Sequence, residues 1–130
     1  AKTLFPYTTL FRSTKALENG LIQFSQRDIV LQTILSIVEH ESLSNHFAEG
    51  NQVLNEQTII QKEGQSIKPD RMVIDSNNKV FLLDYKTGAS NPKYKMQLEN
   101  YQKAIEDMGY KVIQKALVYI AKDITVEFED

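Results

Sequence analysis

The chain has no cysteine. That one absence excludes disulfides, thiolate zinc sites, iron–sulfur clusters and cysteine nucleophiles, and it fits a reducing, cytoplasmic setting. No apolar run approaches the roughly 18–20 residues that a membrane-crossing helix needs, so a membrane span is not expected. Charge of one sign is also scarce: 15 basic residues against 17 acidic give a net charge of −2. A broad basic field for nucleic acid is therefore missing, and any such binding must rest on a local site. Five glycines and three prolines form no low-complexity linker, and there is no internal repeat. A length of 130 residues suits one domain with one core.

The stretch TLFPYTTLFRS, Thr3 to Ser13, stands apart from the rest of the chain. Its apolar residues crowd around Pro6 with neither a two-residue nor a 3.6-residue period. Written back into codons, it resembles a short-read sequencing adapter over its whole length. Residues 1–13 are therefore expected to be an artefactual segment, with the natural sequence starting near Thr14, inside a domain. A signal peptide fits poorly, because only Lys2 precedes the apolar residues and no small-residue cleavage site comes after them.

From Ser25, a candidate N-cap, the pattern turns helical, with Ile29, Leu31, Ile34, Leu35 and Val38 near three- and four-residue spacing. HESLSNHFAEG predicts a short helical turn closed by Gly50. QVLNEQTIIQKEG predicts one strand and QSIKPDRMVID a second; the SNN turn at 76–78 then leads into KVFLLDYK as an antiparallel hairpin. Pro92 opens a helix carrying Tyr94, Gln97, Leu98, Tyr101, Ala104, Ile105 and Met108 at helical spacing, stopped by Gly109. KVIQKALVYIA and ITVEFED predict two further strands. The expected class is α/β, a mixed sheet built on an antiparallel hairpin meander with further strands and flanked by helices.

Charged groups sit where an apolar strand gains nothing from them unless they find partners or do chemistry. Asp84 and Lys86, at i and i+2, share one face of the third strand, and Asp70 lies in the strand expected to pair with it. Two carboxylates and an ammonium converging there would suit a hard divalent cation and a phosphate. The bland alternative is an ordinary cross-strand ion pair, which contributes little.

The whole spacing favours the first reading. PD at 69–70 and DYK at 84–86 resemble the signature of the PD-(D/E)XK nuclease superfamily. GQSIKPDRMVIDSNNKVFLLDYKTG with YKMQLENYQKAI after it resembles more narrowly its RecB-like branch, and most of all the nuclease domains at the C-terminus of bacterial UvrD/AddA-type helicase–nucleases. The likeness runs from about Val53 to Ala121.

What the resemblance implies is a restriction-endonuclease-like core over residues 14–130, present in part, and a Mg²⁺- or Mn²⁺-dependent deoxyribonuclease. On the matching positions, Asp70 and Asp84 are the metal ligands, with the Tyr85 carbonyl and Glu56 as further candidates. Lys86 positions or activates the attacking water and offsets charge on the phosphate. Gln97 and Tyr101, at i and i+4 on one helix face, orient the active-site side chains or touch DNA. Lys93 and Lys95 flank the proposed site, Lys62, Lys68 and Arg71 lie along the hairpin, and Thr87 and Gly88 shape the turn beyond it. The branch usually has a histidine on an early helix to complete the metal shell. His40 and His46 stand too close to the PD strand to match it, so both are expected to be surface or local-packing residues, and weak activity or none is expected of this chain alone. The partners implied are DNA and helicase domains of a parent chain. A non-cutting DNA-binding or scaffolding module and a stand-alone restriction or Holliday-junction-type nuclease remain as alternatives.

Overall fold

The computed structural model describes residues 24–121 and 123–129, with side chains from residue 31 onward. The adapter-like residues 1–13 and the expected start near Thr14 lie outside them. Helix α1 (Phe24–Val38) leads through a 3₁₀ turn (Glu41–His46) to strands β1 (Gln52–Asn55), β2 (Ile59–Ile60), β3 (Ser66–Ile67), β4 (Arg71–Ile74) and β5 (Lys79–Thr87). Helix α2 (Pro92–Asp107) and strands β6 (Lys111–Ile120) and β7 (Ile124–Glu129) complete the order. The result is a mixed α/β fold. Its main sheet runs β1-β4-β5-β6-β7, antiparallel except where β5 lies beside β6, and β2 and β3 form a separate hairpin.

Strand β5 is central and buried on both faces, and its alternation divides the core. Val80 and Leu82 pack toward α2 with Met72, Leu98, Tyr101, Ile105 and Leu117. Leu83 and Tyr85 pack toward α1 and the 3₁₀ turn with Ile34, Ile37, Leu43 and Phe47. Each fully buried leucine side chain contributes about 1.5–3 kcal/mol, so the strand is anchored from both sides. The β4–β5 turn is held by the Asp75 carboxylate, which accepts from the amides of Asn77 (2.8 Å) and Lys79 (3.0 Å), with Asn78 at φ +59°. Asn91 caps α2 by accepting from the Lys93 amide at 3.0 Å, Pro92 occupies its first turn, and Gly109 at φ +98° ends it.

Four expectations are corrected. Ser25 lies inside α1 rather than capping it. Leu31 and Leu35 are exposed, while Ile34, Ile37 and Val38 carry the buried face. The two long strands expected between 52 and 75 each break in two. Glu56, at φ +49°, turns the first out of the main sheet, and Pro69, which has no N–H to give a ladder, interrupts the second. Arg71 is not a hairpin cation open to DNA: it is 2% exposed and points to the α1 face.

Candidate active site

Asp70 lies just before β4 and Asp84 near the end of β5. The β4–β5 register pairs Arg71 with Leu83, so one step further sets Asp70 opposite Asp84, where the ladder ends. Side chains continue it. The Asp70 amide donates to Asp84 Oδ1 at 2.9 Å, and the Tyr85 amide donates to Asp70 Oδ2 at 2.8 Å. Each aspartate thus has one oxygen fixed on the neighbouring strand, leaving Asp70 Oδ1 and Asp84 Oδ2 for other partners.

Both carboxylates are held near protonation. Burial pushes Asp84 up to about 7, and the Asp70 charge adds to the shift, against the Asp70 amide and Lys86. Burial likewise pushes Asp70 up to about 6, helped by the Glu56 charge and opposed by the Tyr85 amide and Lys86. With Asp84 only 2% exposed, two negative charges here are costly without a cation between them.

Lys86 is fixed by three contacts. Its Nζ donates to Gln97 Oε1 at 2.8 Å, lies 3.7 Å from Asp84 Oδ2, and sits 4.5 Å from the centre of the Tyr94 ring. The sequence pattern places Tyr94 only on a helix face. Tyr101 is 7% exposed within the core, and its hydroxyl donates to the Lys68 carbonyl at 3.3 Å, beneath the Lys68–Asp70 segment. It therefore braces the segment that presents Asp70.

Tyr85 divides between the two faces. Its ring is buried on the α1 side with an unpartnered hydroxyl. Its backbone belongs to the site. A strand residue directs its N–H and C=O to the same edge, and the Tyr85 N–H meets Asp70 on the β4 edge. The β4–β5 ladder ends at Arg71 and Leu83, short of that carbonyl, and Pro69 has no amide with which to extend it.

The remaining candidates are spread more widely. The Glu56 amide donates to the Asp70 carbonyl at 3.0 Å, so Glu56 neighbours the pair. Among the described residues, however, no three His, Asp or Glu side chains group as a metal shell. Lys93 lines a cavity with Gln97 and Tyr101. The Lys95 charge acts on Glu129 at the end of β7, away from the aspartates. Lys68 is exposed and acts on Asp70, Lys62 is exposed in the β2–β3 turn, and Thr87 and Gly88 leave β5 with Gly88 at φ +85°.

His40 caps the 3₁₀ turn, accepting from the Ser42 amide at 3.2 Å. His46 is fully buried on the α1 side, across the sheet from the aspartates, so local packing describes it and a surface position does not. Its Nε2 is 3.0 Å from the Leu82 carbonyl, which can only accept, so the proton is on Nε2 and the buried Nδ1 has no partner. Its own carbonyl accepts from Arg71 Nε at 2.8 Å, and the guanidinium lies 4.4 Å over the Phe47 ring.

The donor set fits a small, hard cation. Two carboxylates with one oxygen each to spare, plus one backbone carbonyl, are the kind of partial shell that Mg²⁺ accepts while keeping positions for water and phosphate oxygens. Asp70, Asp84 and the Tyr85 carbonyl would hold it.

No family model matches the chain, and no curated protein matches it in sequence. One solved structure, described as "Crystal structure of SSO0001", aligns over 98% of this chain with 18% identity and a TM-score of 0.41. The chain spans 64% of that protein's length. A likeness this loose carries no argument about fold or function.

Proposed function

We propose that the chain hydrolyses DNA phosphodiester bonds with Mg²⁺ or Mn²⁺ held by Asp70 and Asp84, as the exonuclease module of a DNA repair or recombination helicase–nuclease. The observation that most supports this is the reciprocal arrangement of the two aspartates, which fixes one oxygen of each and leaves a costly pair of negative charges beside Lys86. A bound divalent cation would supply Lewis-acid polarisation of the phosphate and a more acidic water.

The chain's own groups do the rest. The Asp70 and Asp84 oxygens fix position, because their other halves are tied to backbone amides. The Lys86 ammonium, aimed by Gln97 and Tyr94, offsets negative charge as it develops on the phosphate. Tyr101 keeps the Lys68–Asp70 segment in place. The helicase partner rests on the sequence resemblance alone.

A second reading, a module that binds DNA without cutting, draws on the absence of a third grouped ligand among the described residues. One experiment separates the two. Mn²⁺ binding is followed by electron paramagnetic resonance, and cleavage of labelled linear DNA is followed under single-turnover conditions. Binding and slow cleavage that both vanish in Asp84→Asn support the nuclease. Binding of DNA without any metal-dependent cleavage supports the second reading, and failure to bind Mn²⁺ removes the metal site.

A further inference from the structure

Arg71 is the one charged side chain of β4, and it points away from the candidate site. On the α1 face its Nε donates to the His46 carbonyl at 2.8 Å and its Nη1 to Asn55 Oδ1 at 3.2 Å. The third contact is the Phe47 ring, whose centre lies 4.4 Å from the guanidinium. All three partners are neutral, and no carboxylate of the described residues forms an ion pair with it. A buried cation without a counterion costs free energy that an apolar side chain of similar volume would not. Stability alone therefore does not account for Arg71. Its planar fork, which grips two acceptors in fixed directions, does.

The two acceptors lead back to the site. Asn55 is the β1 partner of Arg71 in the ladder. The residues next to them, Glu56 and Asp70, are joined as well, because the Glu56 amide donates to the Asp70 carbonyl at 3.0 Å. The Arg71–Asn55 side-chain bond and the Glu56–Asp70 backbone bond thus close a ring through the two dipeptides. Glu56 sits in that ring at φ +49°, a conformation that a glutamate rarely adopts and its surroundings must enforce. The His46 carbonyl ties the same guanidinium to the end of the 3₁₀ turn. From the α2 side, Tyr101 holds the Lys68 carbonyl. The segment that presents Asp70 is pinned from both faces of the sheet.

We propose that Arg71 is a positioning residue: through Asn55 and the His46 carbonyl it sets Asp70 and Glu56 in place from the opposite face of the sheet. It touches neither cation nor DNA. The proposal rests on the metal-site reading and assigns to one buried side chain the placement of two of its candidate ligands.

The test is amide hydrogen exchange, read residue by residue by NMR without metal, beside Mn²⁺ affinity and line shape by electron paramagnetic resonance. Asn55→Ala removes one acceptor from the fork, and Arg71→Lys keeps the charge but loses the second donor direction. In each, the amides of Glu56, Asp70 and Tyr85 are expected to exchange about tenfold faster, with those of Val80 and Leu82 unchanged. Mn²⁺ affinity is expected to fall about tenfold, and the manganese lines to broaden as the ligands lose a fixed geometry. Leu43→Ala, which opens the same α1-side core without touching the fork, is the control for lost stability and should leave all three readouts as they are. Asn55→Ala decides the matter should Arg71→Lys not fold. Unchanged exchange at the three amides, equal acceleration in Leu43→Ala, or faster exchange with Mn²⁺ affinity unaltered overturns the proposal. Failure of the unaltered chain to bind Mn²⁺ removes the metal site instead, and the exchange rates still decide whether Arg71 holds the segment.

Discussion

Asp70 and Asp84 each accept a backbone amide hydrogen from the other's strand, at 2.8 and 2.9 Å. Side chains thereby replace ladder bonds at the point where β4 and β5 part. The arrangement holds two carboxylates together in a place where neither is comfortable as an anion, and the stability of the domain should register that discomfort.

Both folded pKa values, about 6 and about 7, lie above the ordinary carboxylate value of 3.8. The folded chain then holds protons that the unfolded chain releases, so this contribution to stability is complete below about pH 4 and is lost as pH rises to about 7. Without metal, the aspartate pair favours acid. Urea denaturation at pH 8 is expected to show Asp84→Asn more stable than the unaltered chain by about 1–3 kcal/mol in EDTA, because it removes a buried charge. Saturating Mg²⁺ should stabilise the unaltered chain and leave Asp84→Asn unmoved; a variant weaker than the parent in EDTA would contradict the buried-charge account.

His46 works in the opposite direction. Burial lowers it to about 4 from an ordinary 6.5, so its contribution is complete above pH 6.5 and is lost as pH falls toward 4, up to about 3 kcal/mol. Below pH 6.5 the two effects oppose one another, and above it only the aspartates remain. Replacing His46 with Gln is expected to flatten the acid limb of a plot of stability against pH while leaving the limb from pH 7 to 8 as it was. An unchanged acid limb would mean that His46 gains a proton without penalty.

Lys86→Ala should separate binding from chemistry. The lysine touches Asp84 at 3.7 Å but offers no lone pair to a cation, so Mn²⁺ affinity should fall by no more than about threefold, if at all. Cleavage should fall about 100-fold or more, the usual cost of removing one group aimed at developing charge. Loss of metal binding together with cleavage would point to a structural role for the ion pair instead.

Pro69→Ala tests the Tyr85 carbonyl. The substitution returns an amide N–H two residues beyond the end of the β4–β5 ladder, so that the ladder can lengthen and engage that carbonyl. Mn²⁺ affinity is expected to drop about tenfold, the scale of changes made one layer behind a metal ligand. Unaltered affinity, measured by calorimetry, would remove the carbonyl from the ligand set.

Tyr101→Phe removes one hydrogen bond and keeps the packing, so a loss near 1 kcal/mol is expected, with metal affinity intact. Tyr101→Ala opens the core beneath α2 and should cost about 3–5 kcal/mol. Similar stability for the two variants would show that the ring does not pack as described.

Much of the candidate site's geometry was legible because it depends on periods the chain states openly. Asp84 and Lys86 share a face because i and i+2 always do, and Gln97 and Tyr101 share one because a helix brings i and i+4 together. The same rule, applied one residue past Asp70, sends Arg71 to the opposite face, where it is buried with His46. A cation in a strand reads as surface until that step is taken. Pro69 was a visible sign that the strand around it breaks. The turn at Glu56 had no comparable sign, since a glutamate at φ +49° is held there by its surroundings, including its amide bond to the Asp70 carbonyl. The burial of His46 comes from contacts far along the chain, at Leu82 and Phe81, which no local pattern encodes.

The near-complete burial of Asp84 also sets the direction in which mutation would carry this domain. On the proposed reading, a carboxylate that weakens the fold in the absence of its cation is retained only where the cation is put to use. Relieved of that use, the chain would gain robustness by exchanging Asp84 for an uncharged residue, and no repacking of β5 would be required. If the chain cuts DNA as proposed, loss of cutting is a downhill step for it, and a silent relative with an intact sheet is the form its drift would take.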